Sequence, residues 1–203
     1  MGRARSGAVR TETLGGPETL ISGMVWVAVA FAGMLGFGRC FGSEKDDRSL
    51  DGLLLLPGDR SAVLVGKTLF NLALLFAVEA LVLPLAGLFF HPPEWGCAIL
   101  MLTPVLFLGT LGYAVAGTLF AAITSNTRLR DLLLPILLLP VAVPVLIASV
   151  EGTAMAVQAA STDSVLVRQE SLVSMKGWIR VLIACDVIYI AAALWLFEPV
   201  VEE

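Results

Sequence analysis

The sequence predicts an all-α integral membrane protein of five spans joined mostly by short connections, and three observations carry that prediction. The chain of 203 residues is 58% hydrophobic and only 15% charged, where a soluble domain carries about 25% charged residues. The remaining charges are clustered, leaving uncharged stretches long enough, at about 1.5 Å per residue, to cross a hydrocarbon core about 30 Å thick. Polar or proline-containing turns separate those stretches at intervals that suit successive crossings. The formal net charge of −4 argues against a nucleic-acid partner and leaves membrane lipid as the expected surroundings.

Residues 1–19 are polar, with Arg3, Arg5, Arg10, Gly15, Gly16 and Pro17, and are expected to be unstructured. They do not read as a signal peptide, because no apolar stretch with a small-residue cleavage site follows the arginines closely. Residues 20–203 then form one transmembrane domain. Its first span is expected at Leu20–Gly38 and its second from Ser61 to Phe90, ending at the turn His91-Pro92-Pro93-Glu94. The third covers Ala98–Thr124, before the polar turn Ser125-Asn126-Thr127-Arg128. The fourth covers Leu132–Val150, and the polar stretch Glu151–Gly177 is expected as a loop before the fifth, Trp178–Phe197. Prolines 84, 104, 135, 140 and 144 fall inside these spans. Each removes a backbone donor and invites a kink, tolerable where neighbouring helices satisfy the freed carbonyls. Ala28, Ala32 and Gly36, and again Gly109, Gly112 and Ala116, form small-residue stripes that allow close helix packing.

Orientation follows from the basic residues beside the spans. Arg39, Lys45, Arg48, Arg60, Lys67, Arg128 and Arg130 fall on one side, seven of the thirteen basic residues, which makes that side cytoplasmic together with the C-terminus. Five spans then leave the N-terminus outside with Arg3, Arg5 and Arg10, against the same rule. Either the N-terminal segment tolerates this, or a span precedes Leu20.

Chemistry-bearing residues are few. The segment 43–60 between the first two spans carries Glu44, Asp47, Arg48, Asp51, Gly52, Leu53, Leu54, Pro57 and Arg60. Ser43 with Asp46 resembles a capping box, and Leu50, Leu53 and Leu54 fall on one helical face with Asp47, Arg48 and Asp51 elsewhere. Such an amphipathic helix lies at the membrane surface and suits partner docking better than plain connection, which needs only a few residues. Ser61–Thr68, SAVLVGKT, lacks the first glycine of a phosphate-binding loop and runs straight into a membrane helix, so ATP chemistry is expected in another polypeptide. Glu79 and Asp186 lie within spans, Glu79 toward the outer end and Asp186 near the middle. Buried carboxyls there cost several kcal/mol and face the bundle interior or a wet cavity, as gate, path or structural hydrogen bond. His91, the sole histidine, sits in an outer turn. Every nucleophilic triad would have to share it, so no catalytic residue is expected, and Cys40, Cys97 and Cys185 have the spacing of neither a metal site nor a redox pair.

The run from Glu44 to Lys67, through Arg48-Ser49-Leu50-Asp51-Gly52-Leu53-Leu54-Leu55-Leu56-Pro57-Gly58-Asp59-Arg60, with Asn71 beyond it, closely resembles the haem exporter permease family CcmB of cytochrome c maturation. The similarity continues through Gly109-Thr110-Leu111-Gly112, Arg128, Leu132 to Pro135 and Pro140 to Pro144. It implies an ABC-2-type permease bundle, usually of six spans, in a bacterial inner membrane. It further implies pairing of two copies with a separate ATPase subunit (CcmA-like), and association with a haem-handling membrane protein (CcmC-like) and a small subunit (CcmD-like). Haem is the implied substrate and no bound cofactor is expected. By position, 43–60 would be the coupling helix seated on the ATPase, and Glu151–Gly177 the re-entrant outer region. Two other readings share the architecture: an ABC-2-type exporter of a lipid or drug, and a scaffold that moves nothing.

Overall fold

The computed structural model describes residues 16–40, 60–92, 94–125, 127 and 129–200, and its regular structure is entirely helical. Five helices follow in order: α1 (Pro17–Cys40), α2 (Arg60–Phe90), α3 (Trp95–Thr124), α4 (Arg130–Ser161) and α5 (Val165–Val200). Each contains a stretch long and apolar enough to cross a membrane. The chain is a multi-pass membrane protein. Helices are the natural outcome, because lipid offers no partner to a backbone N–H or carbonyl and the helix satisfies both internally.

α1 opens three residues earlier than hydropathy suggests. Pro17 takes the first helical position, where its missing N–H costs nothing, and Thr19 N–H closes the first turn on the Gly16 carbonyl at 3.0 Å. Glu18 in the first turn and Arg39 in the last both complement the helix dipole. Pro84, Pro104, Pro135, Pro140 and Pro144 all sit inside continuous helices. Between α2 and α3 the chain reverses in a few residues, with His91 at φ 43° and Glu94 at φ 54°, a left-handed backbone that side-chain-bearing residues adopt at some cost.

The largest departure from expectation lies at Glu151–Gly177. No loop spans it: α4 continues to Ser161, a turn of three residues follows, and α5 starts at Val165. The run Gly152-Thr153-Ala154-Met155-Ala156-Val157-Gln158-Ala159-Ala160 is rich in alanine, the strongest helix former, and most of it is buried. Its polar groups are matched, Thr153 Oγ1 accepting from Trp26 Nε1 at 2.9 Å and Gln158 Oε1 accepting from the Ser171 hydroxyl at 2.9 Å. The charges that made this stretch look like a loop, Arg168, Glu170 and Lys176, stand on the exposed faces of α5.

α3 is the centre of the bundle. From Gly112 to Leu119 every residue is buried, the mark of a helix enclosed on all sides. α1 runs parallel to it, Gly33 lying against Tyr113 and Phe37 against Gly117, with the Phe37 and Tyr113 rings edge to face at 5.3 Å. α2 and α4 run antiparallel to α3. Gly152 of α4 meets Val105 at 3.0 Å, and Gly112 of α3 meets Val145 at 3.5 Å. α5 returns antiparallel to α4, tied by Tyr189 Oη donating to the Val141 carbonyl at 2.6 Å. The α2–α3 and α4–α5 turns therefore share one end of the bundle. The end of α1, the start of α2 and the Ser125 turn share the other, where Arg39 and Lys67 lie. Leu69, Phe70, Leu81, Leu88 and Phe89 of α2, with Phe31 and Leu35 of α1, are exposed and present the apolar surface a bilayer requires.

Candidate functional site

The polar interior is built around the middle of α3. On one flank, Thr110 donates its hydroxyl to Glu79 Oε1 of α2, and Asn71 Nδ2 of α2 donates to Thr118 Oγ1 at 2.9 Å. Asn71 and Glu79 are eight residues apart, as are Thr110 and Thr118. Eight residues rotate about 80° around a helix, so each pair keeps to one flank. The result is a two-rung polar ladder between antiparallel helices. Thr118 also donates to the Ala114 carbonyl at 2.8 Å, which orients its oxygen to accept from Asn71. Glu79, Asn71, Thr110 and Thr118 are all buried.

The other flank carries Asp186. Gly112 is two residues from Thr110, about 200° around the helix, and the Asp186 carboxylate from α5 lies directly against it. One turn away, Gly109 receives the Ser149 hydroxyl of α4 and the Trp26 ring of α1. A Cβ at either glycine would collide with these groups, so the α3 stripe anticipated from Gly109, Gly112 and Ala116 admits polar and aromatic side chains rather than bare backbone. Asp186 is 4% exposed and Ser149 0%. Both carboxylate oxygens and the Ser149 hydroxyl have no hydrogen-bond partner among the described residues.

Asp186 is near mid-depth, as its position in the span suggests. Glu79 is not at the outer end: its partner Thr110 stands at the centre of the thirty-residue α3. α2 extends far enough past Glu79 to place it there. The two carboxyls share a depth but not a site, because α3 stands between them. Of the coupling-segment residues, Glu44, Asp47, Arg48, Asp51, Gly52, Leu53, Leu54 and Pro57 lie outside the described residues, and Arg60 is the first residue of α2. His91 is exposed in its turn. Cys97 and Cys185 are free thiols, and no group of three His, Cys, Asp or Glu side chains gathers among the described residues.

Sequence reasoning did not single out Trp26, Thr118, Ser149, Thr153, Tyr113 or Tyr189 as functional positions. The eight-residue spacings on α2 and α3 were a readable signal for the ladder. The long-range bonds of Trp26 to Thr153 and of Tyr113 Oη to the Ala30 carbonyl at 2.8 Å had none.

A helical membrane bundle with buried mid-depth carboxyls and a basic end is the architecture of a polytopic membrane protein with a polar interior. The family model described as CcmB protein matches residues 16–196, and the chain belongs to that family. Among curated relatives, it is 36% identical over 132 residues to Heme exporter protein B of Rhodobacter capsulatus, covering 65% of this chain and 60% of that protein. It is likewise 36% identical over 132 residues to Heme exporter protein B of Pseudomonas aeruginosa, covering 64% of this chain and 57% of the relative. The matched region thus spans less than two thirds of those relatives' length. No solved structure matches.

Proposed function

We propose that this chain is the permease subunit of an ATP-driven haem export or haem-delivery complex serving c-type cytochrome biogenesis in a bacterial inner membrane. The single observation that carries the reading is the family match over residues 16–196, together with relatives named for haem export. The bundle is compatible with it. Five apolar spans enclose polar groups at mid-depth, where ionisable residues commonly serve transport or gating.

On this reading the chain supplies the membrane path or its mechanical equivalent, and a separate CcmA-like ATPase supplies the free energy of hydrolysis. Segment 43–60 docks on that ATPase through Glu44, Asp47, Arg48, Asp51 and the leucines beside them. It leads directly into α2, which carries Asn71 and Glu79 against α3. Motion imposed on the start of α2 would therefore act on the ladder at the bundle centre. CcmC-like and CcmD-like subunits handle haem beside it, two copies of this chain pair, and the basic end with the C-terminus faces the cytoplasm. The ABC-2-type arrangement is part of the same proposal.

The test is deletion of the gene in its own host, complementation with this chain, and assay of covalently bound haem in c-type cytochromes. Loss on deletion and recovery on complementation are expected. Unaffected cytochromes would sink the haem reading in favour of another exported substrate. Charge reversal at Asp47, Arg48 and Asp51 together separates a coupled permease from a scaffold. Loss of ATPase co-purification and of haem delivery is expected, whereas retention of both removes the coupling assignment.

A further inference from the structure

α5 changes character along its length on one exposed face. Arg168, Lys176 and Arg180 are separated by eight and four residues, which places them within a sector of about 120° at 100° per residue. All three are exposed, and none forms an ion pair among the described residues. Glu170, the one acidic residue on this stretch of α5, lies outside that sector, about 160° from Arg168, about 120° from Lys176 and about 80° from Arg180 around the helix. Below Arg180 the same sector continues as Ile183, Val187, Ile190 and Leu194, every one of them exposed and apolar. The face thus carries its three cations among exposed Val165 and its neighbours over the first four turns and is wholly apolar thereafter.

That sequence of chemistries, read along the membrane normal, is the profile of a phospholipid: phosphate above, acyl chain below. From Lys176 to Asp186, near mid-depth, is about 15 Å at 1.5 Å per residue, the depth of one leaflet of a 30 Å core. Lys176 and Arg180 have long aliphatic stems that lie along apolar surface while their charged ends reach the headgroup level. We propose that this face of α5 is a binding surface for an anionic phospholipid in the leaflet on the side of the α4–α5 turn. Lys176 and Arg180 hold the phosphate, Arg168 adds attraction above it, and Ile183, Val187 and Ile190 pack against the chains. Glu170 lies outside the sector of the three cations, ten residues or about 15 Å along the helix from Arg180. The inference rests on the membrane-spanning bundle and is independent of haem as the substrate.

The test uses the full chain in detergent micelles, titrated with phosphatidylglycerol or with phosphatidylcholine as the neutral comparison, with bound lipid counted by native mass spectrometry. Each basic residue near a membrane surface contributes roughly a fivefold factor toward anionic lipid. The expected result is preferential phosphatidylglycerol binding that falls roughly fivefold in Arg180→Gln and further in Lys176→Gln/Arg180→Gln. Arg180→Lys should retain it, and Glu170→Gln should leave it intact or raise it. Equal binding of the two lipids by the unaltered chain overturns the proposal, as does undiminished phosphatidylglycerol binding by the double variant. Loss of self-association in the double variant with lipid binding unchanged would assign the face to a second copy and equally overturn it. Helicity and monodispersity of each variant, measured alongside, ensure that a loss of binding is read on folded protein.

Discussion

Adding one methyl group at Gly112 isolates the contact between α3 and α5. A Cβ there would land on the Asp186 carboxylate, while its next neighbour, Val145 Cγ2 at 3.5 Å, is at ordinary contact distance. The whole steric penalty of Gly112→Ala therefore comes from one side chain. Overpacking of this kind costs about 1–3 kcal/mol, and replacing glycine by alanine inside a helix returns about 1 kcal/mol. The net expected destabilisation is about 0–2 kcal/mol. In an Asp186→Ala background the carboxylate is gone, the penalty vanishes and only the helical gain remains, so the same substitution becomes stabilising by up to about 1 kcal/mol. The coupling between the two positions is then about 1–3 kcal/mol, within the range seen for residues in direct contact. Unfolding in mixed detergent–dodecyl sulfate micelles, followed by tryptophan fluorescence with buried Trp26 as a reporter, gives all four corners of the cycle. Equal cost of Gly112→Ala in both backgrounds would refute the packing of Asp186 against α3.

The polar ladder makes a second cycle. Thr110→Val and Glu79→Leu, each of which removes one partner, should couple by about 0.6 kcal/mol and at most about 1.7, the range measured for hydrogen bonds between membrane helices, and strict additivity in the same micelle assay would remove the bond. Trp26→Phe should cost about 1 kcal/mol by deleting the indole donor to Thr153, and Thr153→Val in that background should add little. A Ser164→Cys variant should react with a membrane-impermeant maleimide at the same membrane face as one bearing Gly96→Cys and at the opposite face from Ser125→Cys. Labelling of Ser164→Cys and Ser125→Cys from one side contradicts the antiparallel order of α3, α4 and α5.

The five spans were readable because their signal is an average. Twenty apolar residues have few ways to behave in lipid, and hydropathy sums over all of them. The α4–α5 hairpin escaped for the converse reason. Its outer part carries Glu151, Arg168, Glu170 and Lys176, whose charge dominates any average, while the helix is determined by what the buried stripe of Gly152, Ala156, Ala159 and Ser171 meets. That partner surface is α3 and the facing arm of the hairpin, and it exists only after the chain has folded. Glu79 illustrates a third limit. Counting residues from the start of a span gives its distance along α2, but depth is set by which residue of α3 it faces, and Thr110 places it at the centre. Asp186 was legible as an intramembrane carboxyl, whereas its packing against Gly112 was not, since a glycine shows in sequence only that something comes close.

The unequal apolar faces of the bundle bear on the bilayer itself. On α2 the exposed apolar surface extends from Val65 to Phe89, about 36 Å along the helix at 1.5 Å per residue. On α5 exposed apolar residues run from Val165 to Leu196, but exposed Arg168, Glu170, Lys176 and Arg180 interrupt them, and the part free of exposed charge, Val181 to Leu196, is about 22 Å by the same measure. A flat membrane of uniform thickness cannot match both. The mismatch of about 14 Å between these faces is met by tilting the bundle or by thinning the lipid beside α5, at a fraction of a kcal/mol per ångström. The chain thus acts as a wedge in the bilayer, and membrane thickness becomes a variable to which its tilt, and any work it does, responds.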